Sequence, residues 1–499
     1  MFTFVLMASA SLSMATALSP SDFAIESLPG LDAEVPFKQY AGYMPLDDGF
    51  GTEMFFWFVE SMDDPKTDPV AFWTNGGPGS SSVAYGFWTE HGPFSWKETQ
   101  AQELWYPSFT ITRGNQHASI IYLEMPTGVG FSFSADGKNY ENITDEQSAY
   151  ESHQFLSKFF EVFSDFKKNP FYLTGESYGG HYVPNLAEKL IDEPIDDVDM
   201  RGFLIGNPGI NSDWYYNVNE YAFTTFMWTH GLIPAKEYLE ARHACGWEKF
   251  FTECETDFTH PTETCINATA AAISMLPQPL DFYDVLVTTC QAAAGNASSK
   301  FSTTMKLAQR QHHPFLKHME RKYGLDINGY DPCINNLTPE YMNYPEVLKA
   351  IHAHVGGGGG GRNDNVTYQK RSNHSSSGVR HWPSLPDNWQ YNQGSAGEKK
   401  NIANLFPKFF AKAPEWKIWV VSGTADSAVP FLGTERWMNC LGRKNLGKYR
   451  PWLLDGDVAG MINEWDGISL VTVKGCGHTI PTYCPKEGYA FFQNYLTKE

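Results

Sequence analysis

The stretch YLTGESYGGHYVP, residues 172–184, decides how the rest of the chain is read. An apolar run from Pro170 to Leu173 has strand character and stops at Gly-Glu-Ser-Tyr-Gly. Helix-forming residues follow. A serine held between the end of a strand and the start of a helix has the form of a nucleophile elbow. Such a turn needs small neighbours, and Gly175, Gly179 and Gly180 supply them. A glycine-rich loop with an ordinary serine would show the same five residues, so the pentapeptide alone does not settle the matter.

The surrounding chain places the motif in a sheet. Apolar, β-branched and aromatic runs at 54–59, 69–74, 119–125, 171–175, 201–206, 417–423 and 468–473 predict buried strands. Between two of them, Asp145–Phe163 carries Phe155, Leu156, Phe159, Phe160 and Phe163 at helical spacing, with Asp145 as the N-cap candidate. Alternating strands and helices predict an α/β domain, a mostly parallel sheet with helices on both faces. From about Asn207 to Tyr330 the strand signal stops, and the chain reads as helical and cysteine-bearing. The expected plan is a catalytic core of residues 18–206 and 335–499, interrupted by a helical insertion at 207–334. Six consecutive glycines at 356–361 lack the Gly-Lys-Ser/Thr ending and the preceding strand of a phosphate loop, and read as a surface loop.

If Ser177 is a nucleophile, a base, an orienting acid and an oxyanion hole must accompany it. On an α/β-hydrolase sheet they follow in the order Ser, Asp, His. Asp426 follows the run KIWVVSG and His478 follows ISLVTV. Two late strands thus each end within a few residues of the required side chain. A neutral hydroxyl is a weak nucleophile, so His478 is expected to take its proton and Asp426 to fix the imidazole. The expected oxyanion donors are the N–H groups of Tyr178 and of Gly77, the latter in the early loop FWTNGGPGSSS (72–82).

The remaining composition narrows the setting. A net charge of −20 excludes a basic nucleic-acid-binding face. Residues 1–17 are apolar, lack acids and end in Ala-Thr-Ala, the pattern of a cleaved signal peptide. No later stretch offers 18 uncharged apolar residues, so no membrane span is expected. Six sequons, at Asn142, Asn267, Asn296, Asn336, Asn365 and Asn373, agree with passage through the secretory pathway, to secretion or to a lysosome or vacuole. Eight cysteines without a C-x2-C pair point to disulfides and not zinc. The histidines 312, 313 and 318 read as a solvated helix face and not as metal ligands.

The motifs WTNGGPGSSS, EHGPF, YLEMPTGVGFSFS, GESYGGHYVP, GNPG, SGTADSAVP and KGCGHTIP resemble those of the serine carboxypeptidases, in the same order and over roughly residues 35–495. The resemblance implies an α/β-hydrolase fold with a helical insertion. It implies removal of C-terminal amino acids from peptides and proteins, without a cofactor. It also assigns the grip on the substrate carboxylate to Trp73, Asn75, Glu90 and Glu176. A carboxyl beside an anionic substrate must be protonated to donate a hydrogen bond, so acidic conditions are expected. From the residues alone, Glu176 reads as a surface acid. Acyltransferases of the same family keep the triad but tend to have Asp before the nucleophile, and Glu176 favours the peptidase. Ser80 stands where the family usually has a cysteine, which leaves Cys333, its usual partner by resemblance, to be free or re-paired. Cys476 and Cys484 flank His478 and are candidates to bridge each other.

Overall fold

The computed structural model describes residues 17–31, 34–96, 109–111, 114–135, 137, 140–210, 218–249, 254, 262–276, 280–287, 337–353, 382–383, 385–392, 401–447 and 449–497. The expectations for the signal segment, the glycine run, the histidines at 312–318, Cys333 and four sequons (Asn296, Asn336, Asn365, Asn373) lie outside these residues.

All seven apolar runs are strands of one mixed sheet. In chain order its main strands are β1 (Gln39–Pro45), β2 (Thr52–Val59), β3 (Val70–Thr74), β4 (Ser119–Leu123) and β5 (Pro170–Glu176). Then come β6 (Asp199–Gly206), β7 (Lys417–Gly423), β8 (Arg450–Leu454), β9 (Asp457–Trp465) and β10 (Ile468–Val473). Their order across the sheet is β1-β2-β4-β3-β5-β6-β7-β10-β9-β8. Every pairing from β4 to β10 is parallel, and the flanking pairings are antiparallel. The parallel strands are buried on both faces, which is why they read as continuous apolar runs.

Two apolar layers cover the sheet. Strand β2 feeds both: Phe56 and Phe58 point to one side, Phe55, Trp57 and Val59 to the other. On the first side Phe155, Leu156, Phe159 and Phe160 of α1 (Asp145–Val162) seat its apolar stripe. Against the same face lies α2 (Gly179–Asp192), through Val183, Leu186, Ala187 and Leu190. The opposite face is covered by Phe87, Trp88, Phe491, Phe492 and Tyr495. One local expectation is corrected. Thr144, not Asp145, caps α1: its side chain accepts the Gln147 N–H, and Asp145 is the first helical residue. Asp145 is instead drawn inward by partners that sequence does not bring near it.

After β6 come helices α3 (Val218–Thr229), α4 (Ala235–Ala244) and α5 (Glu263–Ile273). The Cys245–Cys265 disulfide joins the end of α4 to α5, and Cys254–Cys440 ties this region to the chain leaving the helix Phe431–Asn439. Among the described residues no helix is long and apolar enough to cross a membrane.

Candidate active site

Parallel pairing brings the carboxyl ends of the central strands to one edge. Thr74 of β3 pairs with Gly175 of β5, Glu176 with Gly206 of β6, and Gly423 of β7 with Val473 of β10. Ser177, Asn207, Asp426 and His478 all lie on the loops that leave this edge.

Ser177 sits at the turn between β5 and α2 with φ +58°, a left-handed conformation that a non-glycine residue adopts only when its surroundings enforce it. The enforcement is visible. Ser177 N–H donates to the Gly206 carbonyl at 2.9 Å, and its own carbonyl accepts Gly180 N–H and Gly209 N–H, each at 2.9 Å. A methyl on Gly180 would lie 2.4 Å from the Gly209 carbonyl, so that approach requires glycine. Ser177 remains partly exposed while its neighbours on both sides are buried. The early loop after β3 runs directly onto this turn. A methyl on Gly76 would lie 2.2 Å from the Tyr178 nitrogen and 2.8 Å from Ser177 Cβ. Gly77 follows, at φ +109°.

The other two members of the expected triad meet. His478 Nδ1 and Asp426 Oδ2 are 2.7 Å apart, and both residues are buried. Asp426 Oδ1 accepts the N–H groups of Ala428 at 2.8 Å and Val429 at 3.1 Å, so the carboxylate is held from both sides. Asn207 joins this pair to the elbow. Its side-chain oxygen accepts Gly423 N–H at 2.8 Å, and its amide donates to the carbonyls of Gly477 and His478.

The four expected carboxylate-binding residues form one cluster. Asn75 Oδ1 accepts the Trp73 indole N–H at 2.8 Å and Gly86 N–H at 3.0 Å. Two donors on the oxygen fix the orientation of the amide. Its nitrogen then faces two acids and donates to Glu90 Oε1 at 2.7 Å and Glu176 Oε1 at 2.8 Å. Burial pushes the Glu90 carboxyl up to about 7. Burial and then the charge of Glu90 hold the Glu176 carboxyl well above its ordinary range. Two buried carboxyls in contact cannot both ionise cheaply, so the pair retains a proton in acid. His478 and Asp426 are close enough to act electrostatically on Glu90 and Glu176 respectively.

Reading Glu176 as a surface acid from the residues alone is thus corrected: it is 5% exposed. Its partners come from positions 75 and 90, and no local pattern announces them. Other residues went unmarked. Asp145 accepts hydrogen bonds from Tyr178 at 3.0 Å, Tyr391 at 2.6 Å and His181 Nδ1 at 3.0 Å, beneath the elbow. The strand–serine–helix pattern gave no signal for this, although His181 lies inside the quoted stretch. Gly76 was bypassed for Gly77. The Cys476–Cys484 pairing is present and brackets His478. Asn142 and Asn267, the two described sequon asparagines, are exposed.

Comparison with known proteins sharpens this picture. The family model described as serine carboxypeptidase matches residues 29–498. A putative serine carboxypeptidase-like 30 of Arabidopsis thaliana is 31% identical, with 95% of this chain and 88% of the relative covered. Serine carboxypeptidase 24 of the same plant is 30% identical over 95% of this chain and 91% of the relative. Among solved structures, Kex1ΔP, a prohormone-processing carboxypeptidase from Saccharomyces cerevisiae, superposes with a TM-score of 0.66. The two are 18% identical, and 96% of each chain is covered. That likeness fixes the α/β-hydrolase architecture.

Proposed function

Because this chain belongs to the serine carboxypeptidase family, we propose that it removes C-terminal amino acids from peptides and proteins in acid, through an acyl-enzyme intermediate. The observation that carries this reading is the Asn75 amide bound to two buried carboxyls beside Ser177. A site that only hydrolysed esters would have no use for them.

In this reading Ser177 Oγ attacks the last peptide carbonyl and His478 takes its proton. Asp426 holds the imidazole Nδ1–H and stabilises the imidazolium. The N–H of Tyr178 and the N–H of Gly77 receive the oxyanion, and Gly76 lets their two loops approach. His478 then returns the proton to the leaving amine. Water, activated by His478, releases the acyl group. The free terminal carboxylate is gripped by Asn75 and by the proton shared between Glu90 and Glu176, with Trp73 orienting the amide. We place the protein in the secretory pathway, secreted or in a lysosome or vacuole. Its disulfides suit an oxidising compartment, and Asn142 and Asn267 present exposed glycosylation acceptors.

The test is kcat/KM against pH for a peptide and its C-terminal amide, in the wild type and in Glu176→Gln. In acid the free peptide should be cleaved faster than the amide. As pH rises through about 7 Glu90 ionises, the pair becomes anionic and repels the substrate carboxylate, and KM for the free peptide should climb. Glu176→Gln, which donates at any pH, should flatten that climb. Equal rates on both substrates at every pH would displace the exopeptidase reading in favour of an endopeptidase, esterase or acyltransferase.

A further inference from the structure

The chain between Phe282 and Val285 lies in no helix or strand and belongs to the region expected as an insertion. Yet it runs between the two loops that carry Asp426 and His478. The Phe282 carbonyl accepts the N–H groups of Ser427 at 3.1 Å and Ala428 at 3.0 Å, and the Ser427 hydroxyl at 2.6 Å. Val285 N–H donates to the Ala425 carbonyl at 3.1 Å. Hydrogen bonds thus fall on both sides of Asp426. The residues between them face the other loop. The Tyr283 carbonyl accepts the backbone N–H of His478 at 2.7 Å, and the Tyr283 ring lies 5.0 Å from the imidazole.

Asp284 completes the contact. It is 1% exposed, and its Oδ1 accepts Leu286 N–H at 2.9 Å. Its Oδ2 is buried against Gly477, whose backbone hydrogen-bonds the carboxyl. A methyl on Gly477 would come within 2.4 Å of Asp284 Cβ and 2.8 Å of Oδ2. A buried carboxyl held by backbone groups of two separate segments, Leu286 on its own and Gly477 on the base loop, ties the two together. Here it touches the residue next to the base.

We infer that Phe282–Val285 is a clamp that sets the spacing between the Asp426 and His478 loops, with Asp284 as its positioning residue. The inference rests on the reading of Ser177, Asp426 and His478 as the reacting machinery. It adds that the base is aligned by a segment remote from every motif in the sequence. The titratable groups around Asp284 are Asp281 and Tyr283 on its own segment, Asp426 on the acid loop and His478 on the base loop. Burial, with the charges of Asp281 and Asp426, outweighs the backbone hydrogen bonds of Leu286 and Gly477 and pushes the Asp284 carboxyl up to about 7. In acid it is neutral and rests on Gly477 without opposing Asp426. Above that pH it becomes a second anion beside Asp426, and the clamp loosens.

The test uses an ester substrate without a free carboxylate, so that Glu90 and Glu176 do not enter. Asp284→Ala should lower kcat about tenfold at pH 5 and leave KM unchanged, because only the alignment of the base is lost. Asp284→Asn, which keeps the volume and the neutral state, should restore kcat at pH 5 and carry the alkaline limb of kcat upward by about one pH unit. Thermal unfolding reports whether each variant is folded. Wild-type kcat in Asp284→Ala, or a loss confined to KM, overturns the clamp. If Asp284→Ala does not fold, an unmoved alkaline limb in Asp284→Asn overturns it by itself. Labelling by a fluorophosphonate separates the two ideas. A folded Ser177→Ala that still takes the label defeats the assignment of the nucleophile. A silent Ser177→Ala beside an Asp284→Ala labelled at the wild-type rate defeats the clamp alone.

Discussion

The proposed nucleophile and base, Ser177 and His478, stand at the same sheet edge but are held there by different means. Ser177 is fixed by its immediate structural neighbours. Strands β3 and β6 flank its strand, and Asp145 beneath it collects Tyr178, His181 and Tyr391. His478 is fixed by pieces brought from afar: Asn207, some 270 residues earlier, the Phe282–Val285 segment, and the Cys476–Cys484 bridge. The first arrangement is continuous with the hydrophobic core, so it should fail only when the domain fails. The second consists of hydrogen-bonded and covalent ties on loops, which can be cut with the sheet intact. Catalytic geometry is therefore expected to be coupled to folding on one side and separable from it on the other.

The largest effect should ignore this difference. Ser177→Ala and His478→Ala should each cost roughly a hundred-thousandfold to a millionfold in kcat, because nucleophile and base act as one unit. Asp426→Asn should lose less, about ten-thousandfold. The Ser177→Ala variant should melt near the wild type. Steady-state kinetics with thermal unfolding checks this, and unequal losses beyond about tenfold would mean that another group replaces one of the pair.

The supports should then divide. Asp145→Ala leaves three buried donors without their acceptor and should cost about 3–5 kcal/mol of stability, with activity lost mainly through unfolding. Replacing Cys476 and Cys484 together by serine should cost about 2–3 kcal/mol at most, since the closed loop is short. Its mark should be a several-fold fall in kcat that exceeds what the unfolded fraction explains. Denaturant unfolding beside kcat for the two variants decides. Should Asp145→Ala keep its stability and lose kcat, the nucleophile side would be no more bound to the core than the base side.

The same division governs what the sequence made legible. The central strands were readable because parallel strands buried on both faces are apolar throughout. The edge hairpin was not: β8 buries only Trp452 and begins with Arg450-Pro451, which carries no strand signal. The proposed triad was readable because each member sits a few residues beyond a legible strand. Thr144 as the cap of α1, Glu176 as a buried acid and Asp284 as a wedge were not. Thr144 lies one position from the expected cap with its partner Gln147 close by, whereas Glu176 and Asp284 owe their state to partners distant in sequence, such as Asn75 for Glu176. Tyr283-Asp284 is a dipeptide without a motif, and only the closure of two loops around it gives it meaning.

The smallest effect compares buried carboxyls by the sign of their coupling to pH. Burial pushes the Asp145 carboxyl up, but His181, Tyr391 and Tyr178 together outweigh burial and hold it below its ordinary value. It therefore stabilises the fold above the unfolded-state pKa of about 3.9, and that contribution is lost as pH falls through the lower folded value. Glu90, Glu176 and Asp284 have the opposite sign, because burial raises all three. The folded state holds their protons where the unfolded chain has released them. Their contribution is complete below about pH 4 and is lost as pH rises through their folded-state values, about 7 for Glu90 and Asp284. Stability should consequently peak in acid, with a nucleophile-side limb below the peak and a substrate-pocket and base-side limb above it. Asp145→Asn should flatten the lower limb only. Glu90→Gln should flatten part of the upper limb only, by roughly 1–3 °C in Tm, since Glu176 and Asp284 still titrate there. Melting curves from pH 3 to 8 for the wild type and both variants make the comparison. An upper limb unchanged in Glu90→Gln would mean that Glu90 is ionised in the folded protein throughout, and the shared-proton grip on the substrate carboxylate would go with it.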